Sequence, residues 1–218
     1  TKAPEILKNG AVRYASVRRF KEPRLRAAFK QFVALRLDRR VAYQRFVDEE
    51  QGWLEPWCSW ASENQGGDPE EHAFRQFVLD RQWRVLRRAA HARHILLFGD
   101  MPFFVPLESV DVASNPELFK LRANGKPRLV SGVPKDRFNP NGQLWGHPQY
   151  RWSMHERSRF RWWTDRITKQ FERFDIVRLD HFIGFHRVWQ IPSTSRTAHR
   201  GSWLHTPGRA LLKQLFSQ

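Results

Sequence analysis

Residues 175–181 read Asp175-Ile176-Val177-Arg178-Leu179-Asp180-His181. This segment decides the fold class. Its apolar centre is short and partly β-branched, and it breaks off in polar residues, the mark of a buried parallel strand. Side chains alternate along a strand, so Ile176, Arg178 and Asp180 share one face, while Val177 and Leu179 share the other and are expected against helices. A second run of the same kind, Ile95-Leu96-Leu97-Phe98-Gly99-Asp100, also ends on a carboxylate. Between the two, 101–159 are rich in Pro, Gly and Asn, which predicts a long folded excursion with short helices, one starting at Asn115-Pro116. A helix over about 160–173 follows, with Phe160, Trp163, Ile167 and Phe171 at 3-4-4 spacing. Helix, strand, long loop, helix, strand is the order of an α/β fold. Polar residues ending the strands stand where α/β barrels carry their chemistry.

Upstream, Leu25, Phe29, Phe32, Val33, Leu37 and Val41 form one stripe and predict a helix over 25–47. Residues 48–67, with Trp53, Trp57, Trp60 and then Gly66-Gly67, read as irregular. Asp68-Pro69-Glu70-Glu71 is a helix start, with Asp68 as cap, Pro69 in the first turn and Glu71 completing a capping box. That helix is expected to reach about Arg93 and to bury Phe74, Phe77, Val78, Val85, Leu86 and Ala89. Downstream, Val188–Ile191 reads as a third strand, and Thr206-Pro207-Gly208 opens a last helix through Phe216. No repeat or low-complexity segment interrupts the chain.

Composition narrows the function classes. Of 218 residues 40% are hydrophobic and 14% aromatic, which excludes a disordered chain and predicts a packed core. No run approaches the ~18 apolar residues of a membrane span. The single cysteine, Cys58, excludes a disulfide framework and a Cys-rich zinc site. With no basic-then-apolar leader, it points to a reducing, cytoplasmic setting. The chain opens on Thr1, so the expectation is a processed chain or a piece of a longer one. Lys and Arg number 38 against 22 Asp and Glu, a net charge of +16. That raises nucleic-acid binding, but the cations, 29 of them Arg, are spread along the chain without a basic block or an RNP-like motif. A solvated basic surface is expected, with no nucleic-acid partner.

Arg178 and Asp180 are the sharpest local constellation. A charged i, i+2 pair ending a buried strand is costly without a task or a partner. Arg178 beside Asp180 would keep the carboxylate ionised, as a nucleophile requires; the competing reading is a plain buried ion pair closing the strand. Asp100 is a second strand-end carboxylate, or a cap for the following turn. His91 and His94 lie three apart at a helix end and give no metal-ligand spacing. There is no Gly-x-Gly-x-x-Gly, Walker loop or Gly-x-Ser-x-Gly, so neither a metal nor a cofactor is expected. In Gly142-Gln143-Leu144-Trp145-Gly146-His147-Pro148-Gln149-Tyr150, an aromatic face among amides and imidazole suits a sugar. Trp145 is equally a core plug of the excursion.

Taken together, the motifs resemble the amylomaltase family of 4-α-glucanotransferases. GDMPFFV (99–105), SVDVASNPELF (109–119), GVPKDRFNPNGQLWGHPQYRW (132–152), RLDHFIGF (178–185) and WQIPSTSRTAHRGSW (189–203) follow that family's order and spacing from about Phe74 to Leu212. Residues 1–70 match loosely and are expected to form a helical insertion or subdomain. Residues 71–218 are expected to be the central part of a (β/α)8 TIM barrel with family-specific insertions, incomplete in this chain. The resemblance implies retaining double displacement on α-1,4-glucans, with maltodextrin as substrate. It makes Asp180 the nucleophile, Arg178 and His181 its companions in the reactive subsite, and Asp100, Gln143, Trp145 and Phe138 glucan-binding residues. It places the acid/base Glu beyond Gln218, so the chain alone is expected to be inactive. Lys135, Arg137, His147, Ala113 and Ile183 depart from the family pattern. The new cations Lys135 and Arg137 suggest the alternative of a non-catalytic or decayed glucan-binding relative; the third reading is a basic nucleic-acid-binding protein.

Overall fold

A computed structural model describes residues 10–217. The chain divides into two compact units, Thr1–Trp83 and Arg84–Gln218.

The first unit is helical. Helix α1 spans Tyr14–Ala34, α2 Val41–Gln65 and α3 Pro69–His91, the last continuing into the second unit. The single helix expected over 25–47 is two helices: α1 stops at Ala34, and Arg36 takes a left-handed φ of 51° that breaks the helix before Val41. Residues 48–65, expected to be irregular, belong to α2. Its buried stripe runs Tyr43, Phe46, Glu50, Leu54, Cys58 and Ala61. The spacing is helical, but a charge inside the stripe, together with Gly52 and Pro56, hides it. At the start of α3, Asp68 Oδ1 accepts from the Glu70 N–H at 2.8 Å, as expected of a cap. Glu71 turns away from the cap and binds Arg75 instead. The inner face of α3 holds Phe74 and Phe77, whereas Val85, Leu86 and Ala89 lie exposed, against expectation. The apolar spacing continues along the whole helix, but burial stops near Val78.

The second unit holds two sheets. Strands β1 (Phe98–Met101) and β4 (Ile176–Leu179) pair in parallel, with Asp100 opposite Arg178. Strands β2 (Leu129–Val133), β3 (Gln143–Pro148), β5 (Arg187–Pro192) and β6 (Ser202–His205) form an antiparallel sheet in the order β3-β2-β5-β6. Helices α4 (Val110–Ser114), α5 (Trp152–Arg157), α6 (Arg161–Arg173) and α7 (Gly208–Phe216) complete the unit. The excursion contributes the two strands β2 and β3 to the antiparallel sheet, with short helices as expected. Val188–Ile191 is a strand, but it pairs antiparallel with β2 and β6 and adds nothing to the parallel pair. Among the described residues the parallel strands number two and close no barrel; the architecture is mixed α/β with part of such a fold.

The alternation expected at 176–180 holds. Val177 and Leu179 pack on an aromatic core that includes Phe103, Phe119, Tyr150, Trp152 and Trp163. The other face is open rather than buried: Phe98, Ile176, Asp100, Arg178 and Asp180 are all exposed. Asp175 anchors the base of the pair. Its carboxylate accepts from the Leu97 N–H at 2.8 Å and binds Arg87 at 2.6 Å and His91 at 2.9 Å. These donors, the backbone N–H foremost, hold it far below the usual carboxylate range.

Candidate functional site

The site is built at the carboxyl end of the parallel pair. Arg178 grips Asp100 with two bonds, Nε to Oδ1 at 2.9 Å and Nη2 to Oδ2 at 2.6 Å, and its Nη2 stands 3.3 Å from Asp180 Oδ1. Side chains two apart on one strand are about 6.6 Å apart, whereas in-register partners on neighbouring strands are about 4.8 Å apart. Arg178 therefore takes Asp100, 78 residues away, as its first partner. The three side chains are 54%, 52% and 55% exposed for Arg178, Asp100 and Asp180, which removes the reading of a buried ion pair. Asp100 is a cross-strand partner of Arg178 and not a cap for the next turn. The bond to Arg178 holds the Asp100 carboxyl below its usual range and raises the guanidinium. Asp180 continues the ladder, its N–H donating to the Met101 carbonyl at 3.0 Å.

At His181 the chain leaves the strand with a left-handed φ of 49° and enters a 3-10 turn, Phe182–Phe185. Such a backbone in a non-glycine residue costs on the order of 1–3 kcal/mol and persists only where its surroundings hold it. The surroundings are tight. A Cβ on Gly184 would sit 2.8 Å from the Phe103 ring, and Thr206 Oγ1 donates to the Gly184 carbonyl at 2.8 Å. The His181 ring meets Trp145 edge to face, centroids 4.9 Å apart at 89°, with Phe103 and Phe104 each 6.0 Å away. Its Nε2 is buried without a hydrogen-bond partner. Burial lowers the imidazole below its usual range, and the Asp180 charge opposes this in part.

Trp145 and Gln143 lie two apart on β3, and the indole N–H donates to Gln143 Oε1 at 2.9 Å. Trp145 is half-buried at the edge of the aromatic core, neither a bare platform nor an enclosed plug. Phe138 stands apart, 92% exposed on the loop before β3, where Asp136 Oδ1 accepts the N–H groups of Phe138 and Asn139. Lys135 and Arg137 are exposed on the same loop. The structure thus brings Asp100, Arg178, Asp180 and His181 together and seats Trp145 on His181, but it does not gather Phe138 into that group. Sequence reasoning missed Phe103 and Phe104 as walls of the site. Their signal was two consecutive aromatics just past the strand that ends in Asp100.

A family model described as 4-alpha-glucanotransferase matches residues 61–218. The chain is 38% identical to a 4-alpha-glucanotransferase of Aquifex aeolicus over 95% of its own length and 48% of the relative's. It is 36% identical to one from Thermus thermophilus, over 94% and 47%. The structure of an amylomaltase from Streptococcus agalactiae in complex with acarbose superposes with a TM-score of 0.85 at 31% identity, covering 94% of this chain and 47% of that one. An amylomaltase from Corynebacterium glutamicum, 18% identical with a TM-score of 0.73, shares the fold over 89% of this chain and 29% of its own. The chain spans about half the length of the curated relatives it matches.

Proposed function

The chain belongs to the 4-alpha-glucanotransferase family, and from that premise we propose that it carries the nucleophile side of a retaining transfer site for α-1,4-glucans. The supporting observation is the open, half-exposed Asp180 carboxylate at the end of β4, beside an Asp100 already claimed by Arg178. In the first step a carboxylate oxygen of Asp180 attacks the anomeric carbon, and the bond from that carbon to the glycosidic oxygen breaks. The departing 4-oxygen takes a proton from a carboxylic acid. In the second step the 4-hydroxyl of an acceptor glucan attacks the same carbon, gives up its proton to that acid's conjugate base, and releases Asp180.

Asp100 is unsuited to be that acid, because Arg178 keeps it ionised. Retaining sites place the two carboxyl groups about 5 Å apart, and in this reading the second is a Glu of a later barrel strand. Arg178 holds Asp100 through Nε and Nη2 and keeps the same Nη2 3.3 Å from Asp180 Oδ1, so the cation lies between the two carboxylates. His181, neutral and with Nε2 free, bonds a sugar hydroxyl, and the Gln143 amide and Phe138 extend the glucan path. In the same reading residues 1–70, of which 1–9 lie outside the described residues, belong to a helical subdomain and 71–218 to the central part of the barrel. The partner is a neutral maltodextrin rather than a nucleic acid, and the buried free thiol of Cys58 fits a cytoplasmic protein. No helix among the described residues is long and apolar enough to cross a membrane.

A fluorinated glucosyl donor that traps the glycosyl ester, applied to a complete enzyme carrying this segment and followed by peptide mass spectrometry, tests the assignment. The label is expected on the peptide containing Asp180. A label on Asp100, Asp175 or another carboxylate would overturn it, and no label on any carboxylate would favour the non-catalytic glucan-binding relative that Lys135 and Arg137 suggest.

A further inference from the structure

We infer that Trp145 is a positioning residue that acts on glucan through His181, rather than a surface on which a sugar ring stacks. The inference rests on the glucan reading for its ligand, but its geometry stands independently. A stacking platform needs an open ring face. Trp145 is half-buried, with Phe104 6.3 Å from its centroid and the His181 ring standing perpendicular to it at 4.9 Å. Its one polar atom is engaged as well, because Nε1–H donates to Gln143 Oε1. The indole is therefore held from two sides and committed to a third group.

His181 is the group that needs holding. It follows the proposed nucleophile, sits on a left-handed backbone, and has no hydrogen bond at Nε2 to orient its ring. Ring orientation must come from packing, and Trp145 is the nearest of the three aromatics around it. The charged groups near the imidazole are Asp180 next to it, Arg178 beyond, and Asp100 opposite Arg178 on β1. The walls contributed by β3 and by the segment after β1 are Trp145, Phe103 and Phe104, all uncharged. Trp145 thus walls one side of a dry imidazole whose buried Nε2 has no partner within the protein and would be satisfied by a sugar hydroxyl, while Gln143 fixes the indole. Removing the indole would wet the ring and let it turn, although Trp145 itself touches no sugar.

The test uses the full chain with isotope-labelled histidine. NMR reads the His181 ring nitrogens across pH in the wild type, Trp145→Phe, Trp145→Ala and Gln143→Ala, with circular dichroism as the check on folding. The His181 midpoint is expected to rise toward the ordinary value of about 6.5 in Trp145→Ala, to rise less in Gln143→Ala, and to move little in Trp145→Phe. If Trp145→Ala fails to fold, the Gln143→Ala shift decides. A folded Trp145→Ala or Gln143→Ala protein with an unmoved His181 midpoint would overturn the inference. Maltotriose titrations then separate the routes. Trp145→Ala and His181→Ala should each weaken binding about tenfold, and the double variant should bind no more weakly than His181→Ala alone. Losses that multiply to about a hundredfold would show Trp145 touching sugar directly and sink the idea. A wild-type chain that ignores maltotriose while its His181 midpoint still follows Trp145 would defeat the glucan reading and leave the positioning role standing.

Discussion

Two charge clusters of this protein, one in each unit, are built in opposite ways. In the helical unit the groups around Arg75 are turned inward and matched to one another. Arg75 binds Glu22 at 2.7 Å and Glu71 at 2.5 Å, His72 bonds the Gly66 carbonyl at 2.9 Å, and Glu50 lies buried in the stripe of α2, bonded to the Trp53 indole. Around them pack Phe32, Tyr43, Phe46, Leu54, Phe74 and Phe77. In the mixed unit the core is chiefly aromatic and aliphatic, with Phe119, Tyr150 and Trp163 at 1% exposure or less and the polar Gln149 and His155 enclosed beside them, while Asp100, Arg178 and Asp180 stand half-exposed at the end of the parallel strands. The difference separates charge that builds a fold from charge left free to act. A matched, partly buried ion pair satisfies its members and has no capacity to spare. A half-exposed carboxylate with one neighbour keeps lone pairs for a ligand, and the apolar core beneath bears the cost of holding it in place.

The sharpest way to break that contrast is at Asp180. In a complete enzyme carrying this segment, Asp180→Asn should lower glucose release from maltotriose by about 10⁴-fold or more, since an amide does not form the glycosyl ester at a useful rate. Its melting temperature should stay near the wild-type value, because volume and shape are kept. Near-native turnover would return Asp180 and Arg178 to a structural role.

Two arginines give the next comparison. Arg75→Ala strands Glu22 and the largely buried Glu71, and should cost about 2 kcal/mol in urea unfolding. Arg178→Ala removes a pair that is more than half exposed and should lower the urea midpoint much less than Arg75→Ala does. Equal losses would erase the distinction between the units.

A pH-dependent effect is expected from the aromatic core alone. His155 is fully enclosed there, and burial brings its imidazole down to about 4. The unfolded chain takes up this proton near 6.5 and the folded chain only near 4, so acid favours unfolding. The contribution is fully present above about pH 6.5 and is lost progressively as pH falls toward 4. Between pH 7 and pH 5 the loss should be about 2 kcal/mol from this group. Urea midpoints for the wild type and His155→Phe, compared at the two pH values, isolate it. An equal decline in both proteins would show that other groups govern the acid limb.

Much of the mixed unit was legible because its signals are local. The helix at 161–173, the short excursion helices, the last helix and the strand at 176–179 all follow from spacing within a few residues. The helical unit was less legible. Arg36 breaks a stripe that looks continuous, and Glu50, Gly52 and Pro56 disguise one that is. Most of the antiparallel sheet has the local composition of loop. Its strands β2 and β3 are short and carry glycine and proline, and pairing with distant residues makes them strands.

The sequence by itself determined what a period of two can determine: that Arg178 and Asp180 share a face, that Val177 and Leu179 turn to the core, and that carboxylates end both strands of the parallel pair. Which carboxylate Arg178 would grip was decided only by tertiary structure. Register between β1 and β4 puts Asp100 directly opposite it, closer than the next residue on the same face of its own strand. The surroundings of His181 were decided in the same way. Phe103, Phe104 and Trp145 come from segments 36 to 78 residues away in the chain. A spacing pattern carries no information across such a distance until the chain has closed on itself.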